Sequence, residues 1–374
     1  MTCASPTHRK SYVNDAMLPK PGRVRRQLNR VVDQIAFGLI KHCLSRSHHQ
    51  RFDGEELARY ATEWAGAGVS QYYALTDFPE SEANANLLKK QLHDFRPRFE
   101  LFLDSPIRGS HPENNRFWLD FHLAKPIDQA PVFVILHGWR SVSVKGYHQV
   151  CRRLNELGIN AIITHLPYHF SRTPKQTFSG ELAISADLVR SGNGLRHGVL
   201  EMRWLCQQLK RLGAPSFGLW GTSYGGWIGA MTAVVEPQLD AVLMLEPPVE
   251  IEKIFWDIPL FEKLTGHLRI NGVSRKPIQH LFDLVTPYKH ALKIDPERVV
   301  ILGSLYDSIA TPHSLQLLHK RWPGTHLEIF PYAHISYKLH LAAIELFEEK
   351  LLPAISTRNP ETKTLHGEKF QTIP

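Results

Sequence analysis

The sequence has few cysteines, and they lie far apart along the chain. Four occur among 374 residues, Cys3, Cys43, Cys151 and Cys206, with no C-x-x-C pair and no spacing typical of zinc ligands. This pattern argues against a disulfide framework and against a zinc-binding module. We expect free, mostly buried thiols in a reducing compartment.

Long apolar runs are also missing. No segment reaches the roughly 18 consecutive apolar residues that a membrane-spanning helix needs, and the stretch from Met1 to Lys10 lacks the apolar region of a secretory signal. We therefore expect neither a signal peptide nor a membrane span, and predict a cytoplasmic location.

Most of the sequence carries no net charge. The formal charge is +8, and residues 1–51 hold ten Lys or Arg against two Asp or Glu, which accounts for all of it. The remaining residues hold 34 charges of each sign. A neutral body argues against nucleic acid as a partner, so we predict no nucleic-acid binding.

The basic N-terminal region contains a helical pattern from Arg23 to Ser45. Its apolar positions recur at helical spacing, namely Val24, Leu28, Val31, Ile35, Leu39 and Cys43. Such a helix can make peripheral contact with an anionic membrane surface. It can equally pack on the protein with its arginines in water, and we favour this second interpretation.

The most informative motif is Gly221-Thr222-Ser223-Tyr224-Gly225. It follows a short apolar run at residues 216–220 and leads into a helical segment, which is the strand, sharp turn and helix of a nucleophile elbow. Gly221 and Gly225 lack side chains, so a strained turn can hold the serine clear of the sheet. Ser223 is thus the predicted nucleophile.

An acid and a histidine follow the serine in the order that this architecture requires. Asp307 lies on the loop after the strand at residues 298–302, and His334 leaves the last strand at residues 326–330. Glu246, at the end of an earlier strand, is the alternative acid. We favour Asp307 because of its position after its strand. His334 is preferred to histidines within a strand or helix.

A fourth feature predicts an oxyanion hole. The apolar run at residues 131–136 reads as a strand buried on both faces and continues into His137-Gly138-Trp139. We expect the backbone N–H groups of Trp139 and Tyr224 to bind the oxyanion. His137 precedes the serine, and we expect it to shape the loop.

These motifs together carry a resemblance. The chain from about Phe99 to Leu352 resembles the α/β-hydrolase superfamily, and more narrowly the abhydrolase-domain-containing family eighteen. The supporting strings besides the elbow are Leu166-Pro167-Tyr168, Arg172-Thr173-Pro174, Trp322-Pro323-Gly324 and His334-Ile335-Ser336-Tyr337. The resemblance implies a mostly parallel eight-stranded sheet flanked by helices, and hydrolysis of esters, thioesters or amides.

The organisation follows from these elements. We predict a basic helical extension over residues 1–98, an α/β-hydrolase domain over 99–355 and a disordered tail over 356–374. Insertions at about 169–194 and 247–296 are lid-like, and the second is predicted to be helical. Its apolar residues are expected to line an acyl pocket, with Trp256 among them.

The predicted function is hydrolysis of a small-molecule carboxylic ester or thioester through an acyl-enzyme intermediate, with no cofactor and no metal. A serine nucleophile argues against a dehalogenase or an epoxide hydrolase, which need a carboxylate. An amidase or peptidase and an acyltransferase would use the same residues. A non-catalytic binding protein of this fold is the remaining alternative.

Overall fold

A computed structural model of the chain describes residues 51–76, 78, 80–334 and 336–356. The predicted basic helix from Arg23 to Ser45, Cys3, Cys43 and the predicted tail beyond residue 356 lie outside the described residues.

Within the described chain, eight strands form one sheet. They are β1 (Arg98–Asp104), β2 (Arg116–His122), β3 (Val132–Leu136), β4 (Asn160–Thr164), β5 (Phe217–Thr222), β6 (Ala241–Leu245), β7 (Val299–Ser304) and β8 (His326–Phe330). Their order is β1-β2-β4-β3-β5-β6-β7-β8. β2 runs antiparallel to both of its neighbours, and the other pairs are parallel.

The helices lie before, between and after these strands along the chain. They are α1 (Gly54–Glu63), α2 (Val69–Tyr72), α3 (Ser81–His93), α4 (Lys145–Glu156), α5 (Leu188–Arg211), α6 (Tyr224–Val235), α7 (Ile251–Asp257), α8 (Glu262–Ile270), α9 (Gln279–Leu284), α10 (Pro312–Arg321), α11 (Tyr337–Leu346) and α12 (Leu352–Ser356). A π-helical turn at Phe347–Leu351 joins α11 to α12.

The core has two layers because the central strands are apolar on both faces. β3, β4 and β6 each consist of five buried residues, as expected for parallel strands covered by helices on both sides. On one face, α4 and α11 contribute Val150, Leu154 and Leu339. The larger layer on the other face includes α5 and α6.

The predicted fold is confirmed, including all eight strands. One boundary differs from the prediction. The predicted insertion at about 169–194 overlaps α5, which begins at Leu188 because the Asp187 side chain accepts a hydrogen bond from the Arg190 N–H and caps the helix. The last residues of the first insertion are therefore helical. The second insertion contains three helices, α7, α8 and α9.

The described residues between 51 and 98 pack on the sheet domain. Helix α1 contacts α5, and Tyr60 and Tyr72 are buried in the larger core layer. No helix in the described part of the chain has the length and apolar character needed to cross a bilayer.

Candidate active site

The parallel strands end at one edge of the sheet, and the predicted site residues follow these ends. Ser223 comes after β5, Glu246 after β6, Asp307 after β7 and His334 after β8. Parallel topology thus brings together residues that are far apart in sequence.

Ser223 sits in a strained conformation between β5 and α6. Its φ is 49° and its ψ is −110°, a region that residues with a side chain rarely adopt. The Ser223 N–H donates to the Leu245 carbonyl at 2.8 Å. A Cβ on Gly221 would collide with the Gly225 backbone, and one on Gly225 would collide with the Leu136 carbonyl. Only glycine fits at either position.

His334 connects the serine to a carboxylate. Its Nε2 lies 3.0 Å from the Ser223 Oγ, and its Nδ1 lies 2.6 Å from the Asp307 Oδ2. The other Asp307 oxygen accepts the N–H groups of Ile309 and Ala310 at 2.7 and 3.0 Å. The carboxylate is therefore held with one oxygen facing the imidazole. This favours the tautomer with the proton on Nδ1 and a lone pair facing the serine.

Glu246, the alternative acid, lies beside the same histidine. It is buried, with a φ of 51°, and its Oε2 is 3.8 Å from the His334 Nδ1. This separation exceeds a hydrogen bond. Both acids therefore lie beside one imidazole, and Asp307 is the one within hydrogen-bond distance of it.

The loop after β3 is held by buried hydrogen bonds. His137 is fully buried; its Nδ1 donates to the Gly138 carbonyl at 2.9 Å, and its Nε2 accepts the Leu166 N–H at 3.0 Å. Burial lowers the pKa of His137 to about 4, which keeps the imidazole neutral in these roles. His137 therefore shapes the loop, as expected.

The two expected oxyanion donors lie near the serine. Tyr224 is the first residue of α6, and N–H groups at the start of a helix have no acceptor within it. On the facing loop, the Gly138 N–H donates to the Tyr147 hydroxyl at 3.1 Å and the Arg140 N–H to the His169 Nε2 at 3.2 Å. The Trp139 N–H lies between these two anchored groups. The indole of Trp139 donates to the Gly180 carbonyl at 2.8 Å.

A cavity of about 430 Å³ opens onto Ser223 and His334. The lid helices α7 and α9 supply much of its apolar wall, through Ile254, Phe255, Leu281 and Phe282. Tyr60 and Tyr72, from the segment before the sheet, complete another side. The predicted apolar lining of the lid is thus present.

One lid residue is placed differently from the expectation. Trp256 is buried but does not line the cavity. Its indole lies beneath the guanidinium groups of Arg269 and Arg275, at 5.5 and 5.7 Å. The neighbouring Phe255 faces the cavity instead, because adjacent residues of a helix point in different directions.

The residues at the serine are poorly suited to hold a metal ion. Ligand atoms of Glu246, Asp307 and His334 lie within 4.8 Å of one another. Both ring nitrogens of His334 already face partners, Ser223 on one side and Asp307 on the other. A metal ion here would displace one of these hydrogen bonds.

A buried ion pair behind the loop was not predicted from the sequence. Arg172 and Glu201 are fully buried and joined by two hydrogen bonds of 2.8 Å. Arg172 also donates to the carbonyls of His165 and Asn114. These bonds fix the segment that contains Leu166, whose N–H donates to the His137 Nε2. The sequence gives Arg172 within a motif, but its partner lies on α5, and no local pattern links the two.

A protein-family model matches part of the chain. Residues 125–247 match the family described as Alpha/beta hydrolase domain containing 18. The matched segment is less than half of the chain; it includes Trp139 and Ser223 and ends before Asp307 and His334. No curated protein sequence matches the chain significantly.

A solved esterase structure shows the same fold, and two further structures are similar at lower scores. The acetyl xylan esterase from Paenibacillus sp. R4 is 14% identical, with 75% of this chain and 99% of that chain covered and a TM-score of 0.52. Acetyl xylan esterase 1 from Thermoanaerobacterium sp. JW/SL YS485 is also 14% identical, with 76% and 97% covered and a TM-score of 0.49. The propionate-bound Est2 of Thermogutta terrifontis is 17% identical, with 63% and 89% covered and a TM-score of 0.45. The chain has the α/β-hydrolase fold.

Proposed function

We propose that the protein is a serine hydrolase that cleaves a carboxylic ester or thioester through an acyl-enzyme intermediate. One observation carries the proposal. The Ser223 hydroxyl, the His334 imidazole and the Asp307 carboxylate form a continuous chain of hydrogen bonds of 3.0 and 2.6 Å at the base of a cavity. This is the arrangement that activates a serine for attack on a carbonyl carbon.

In the proposed mechanism, His334 Nε2 takes the Ser223 proton as the oxygen attacks the substrate carbonyl. Asp307 stabilises the imidazolium that forms. The N–H groups of Tyr224 and Trp139 stabilise the tetrahedral oxyanion, each by about 3 kcal/mol. His334 then protonates the leaving alcohol or thiol. Water attacks the acyl-enzyme along the reverse path, and the carboxylic acid is released.

The cavity supports an apolar acyl group as substrate. The side chains that the lid helices contribute to the cavity are aliphatic and aromatic. A chain of methylenes gains roughly 0.8 kcal/mol for each group that leaves water. We therefore infer that the acyl group enters the cavity and that the leaving group faces its opening.

Labelling with a fluorophosphonate probe tests the proposal. We expect the probe to label wild-type protein, and the labelled peptide to contain Ser223. Ser223→Ala is expected to take up no label. Ser110→Ala removes an exposed serine on the β1–β2 connection and serves as the control that labels normally. Unlabelled wild-type protein, or equal labelling of Ser223→Ala, would refute the nucleophile.

Product analysis then distinguishes the reaction classes. Matched esters, thioesters and amides with the same acyl group give the preferred bond. Added alcohol or thiol acceptors reveal acyl transfer if a new ester replaces the free acid. We expect free acid as the main product and the ester or thioester to react faster than the amide.

A further inference from the structure

A second group of titratable side chains lies on β2 and α4. Asp120 and His122 are two residues apart on β2, so their side chains leave the same face of the strand. Helix α4 packs against β2 and β4 on this face and contributes His148. Ligand atoms of the three residues lie within 4.8 Å of one another.

One carboxylate oxygen is the centre of this group. The Asp120 Oδ2 lies 2.9 Å from the His122 Nε2 and 3.3 Å from the His148 Nε2. Ligand atoms of a tetrahedral zinc site, at about 2.0–2.2 Å from the ion, are separated from one another by roughly 3.3 Å. The His148 distance equals this value, and the shorter His122 distance is a hydrogen bond that a zinc ion would replace.

The second observation concerns His148. Its Nε2 is buried and, within the described residues, has no hydrogen bond of normal geometry, although it lies 3.3 Å from the Asp120 Oδ2. A buried polar atom without a partner costs roughly 1–3 kcal/mol. Coordination of a cation by this nitrogen would satisfy it. The protons of both imidazoles would then reside on Nδ1.

A bound cation requires an ionised carboxylate and neutral imidazoles. The effect of burial is outweighed by contacts with His122 and Arg98, which lower the pKa of the Asp120 carboxyl. Burial lowers the pKa of His148.

Arg98 would compete with a cation for the Asp120 carboxylate. Its Nη2 lies 3.1 Å from the Asp120 Oδ2 and its Nε lies 3.4 Å from the Oδ1. The Arg98 side chain is 56% exposed, so it can turn toward water or keep only the Oδ1 contact. Arg98 is thus predicted to weaken cation binding without preventing it.

We propose that Asp120, His122 and His148 form a binding site for one Zn²⁺ ion, with water as the remaining ligand. Two imidazoles and a carboxylate are the ligand types that zinc prefers. The ion would connect β2 to α4. Tyr147, next to His148 on the same helix, holds the Gly138 N–H, so the site would also steady the loop beside Ser223.

Zinc titration of the full-length, chelator-treated protein tests this proposal, with calorimetry and thermal unfolding as readouts. We expect the wild-type chain to bind one ion at this site and to unfold at a higher temperature with zinc. His148→Ala is expected to weaken this binding by more than about 100-fold, since even the loss of a residue that supports a ligand costs 10–100-fold. The rise in unfolding temperature should disappear with it.

Two further variants make the test selective. Arg98→Ala removes a nearby positive charge and should strengthen binding by a few-fold, up to about tenfold. His93→Ala removes another histidine that contacts a carboxylate, Asp94 at 3.0 Å, on an exposed surface, and should change nothing.

Cobalt provides an independent readout if His148→Ala folds poorly. Wild-type protein should give visible absorption bands of tetrahedral Co²⁺, and His122→Gln should lose them. The proposal is overturned if wild-type unfolding is insensitive to zinc or if His148→Ala and His122→Gln bind as tightly as wild type. Weaker binding by Arg98→Ala would also overturn it.

Discussion

At the scale of single residues, two carboxylates surround one imidazole. Asp307 is held by two backbone N–H groups and contacts the His334 Nδ1, whereas Glu246 is buried 3.8 Å from the same nitrogen. A positive charge that forms on His334 therefore lies beside two carboxyl groups. We assign the orienting role to the residue in contact and a supporting electrostatic role to the other.

Exchange of each carboxylate for its amide separates these roles. Asp307→Asn should lower kcat by about 10⁴-fold, because the amide no longer fixes the productive tautomer. Glu246→Gln should lower kcat by less than about tenfold, since only a nearby charge is lost. Steady-state hydrolysis of a chromogenic butyrate ester measures both. The reverse order of effects would identify Glu246 as the acid.

Tyr147 offers a test of the oxyanion loop. In Tyr147→Phe the Gly138 N–H loses its acceptor, which costs roughly 1–3 kcal/mol and loosens the loop that carries Trp139. We expect kcat to fall by about tenfold with a smaller change in KM. Tyr288→Phe, a half-buried tyrosine away from this loop, is the matched control. Equal kcat values for both variants would argue against a role of the loop.

Much of this site could be predicted from the sequence. The elbow, the order of serine, acid and histidine, and the strand before each residue located Ser223, Asp307 and His334. Glu246 was also predicted, as the alternative acid, but which of the two acids contacts the His334 Nδ1 depends on side-chain distances that a sequence does not contain. Tyr147 was missed, since a tyrosine on a helix carries no local signal of a hydrogen bond to a loop.

At the scale of secondary-structure elements, the lid helices form the apolar side of the cavity. Within α7, Phe255 faces the cavity and lies 5.8 Å from the Phe261 ring, whereas Trp256 faces two arginines. Two adjacent large aromatic residues therefore have different surroundings.

This difference predicts distinct effects of two alanine substitutions. Phe255→Ala should enlarge the cavity and shift the preference toward longer acyl chains. Trp256→Ala removes a larger side chain but should leave the preference unchanged. Both changes should destabilise the fold by about 3–5 kcal/mol. Comparison of kcat/KM across esters of increasing chain length is the measurement, and a shift in Trp256→Ala alone would contradict the assignment of the wall.

The ion pair between Arg172 and Glu201 links a loop to α5. Removal of one partner leaves a buried charge, so Arg172→Met should lower the free energy of unfolding by about 3–5 kcal/mol. The double variant Arg172→Met/Glu201→Leu should regain most of this loss. Arg59→Met breaks an exposed pair with Glu55 and should have little effect. Urea unfolding measures the free energy of unfolding of Arg172→Met, the double variant and Arg59→Met. A double variant less stable than Arg172→Met would exclude this explanation.

At the scale of the whole molecule, several histidines are buried in neutral form. His137, His165, His169 and His197 are all buried. Burial lowers the pKa of His137 to about 4 and that of His165 to about 3, and lowers the pKa of the other two as well. In the unfolded chain these side chains titrate near pH 6.5.

Stability should therefore fall as the pH drops from about 6.5 to 4. In this range the unfolded chain binds protons that the folded chain excludes, so each such histidine lowers the free energy of unfolding by about 1.4 kcal/mol per pH unit. Above about pH 7 these histidines are neutral in both the folded and the unfolded chain, and the effect is absent. Urea unfolding at several pH values measures the slope. His137→Gln should reduce the slope by about one proton, and an unchanged slope would show that His137 is not responsible.

The fold was predictable because its strands are short, apolar and separated by turn or helix signals. The strands follow from these runs, whereas the mostly parallel eight-stranded sheet was implied by the resemblance to the α/β-hydrolase superfamily. The start of α5 at Leu188 was missed, since a polar stretch with a glycine and an asparagine reads as a loop until its aspartate cap is seen. The packing of residues 51–98 against the sheet domain was not predictable, because it depends on contacts distant in sequence.

Tyr60 and Tyr72 form a wall of the cavity that neither the sheet nor the lid supplies. Their hydroxyls are 2.6 Å apart, and Tyr60 also donates to Asn193 at 3.2 Å. The cavity proposed to receive the acyl group is thus bounded by a segment that carries none of the proposed reacting groups. Divergence of this leading segment would alter the range of accepted molecules and leave the bond-breaking machinery intact. Chemistry and selectivity can evolve separately in this architecture.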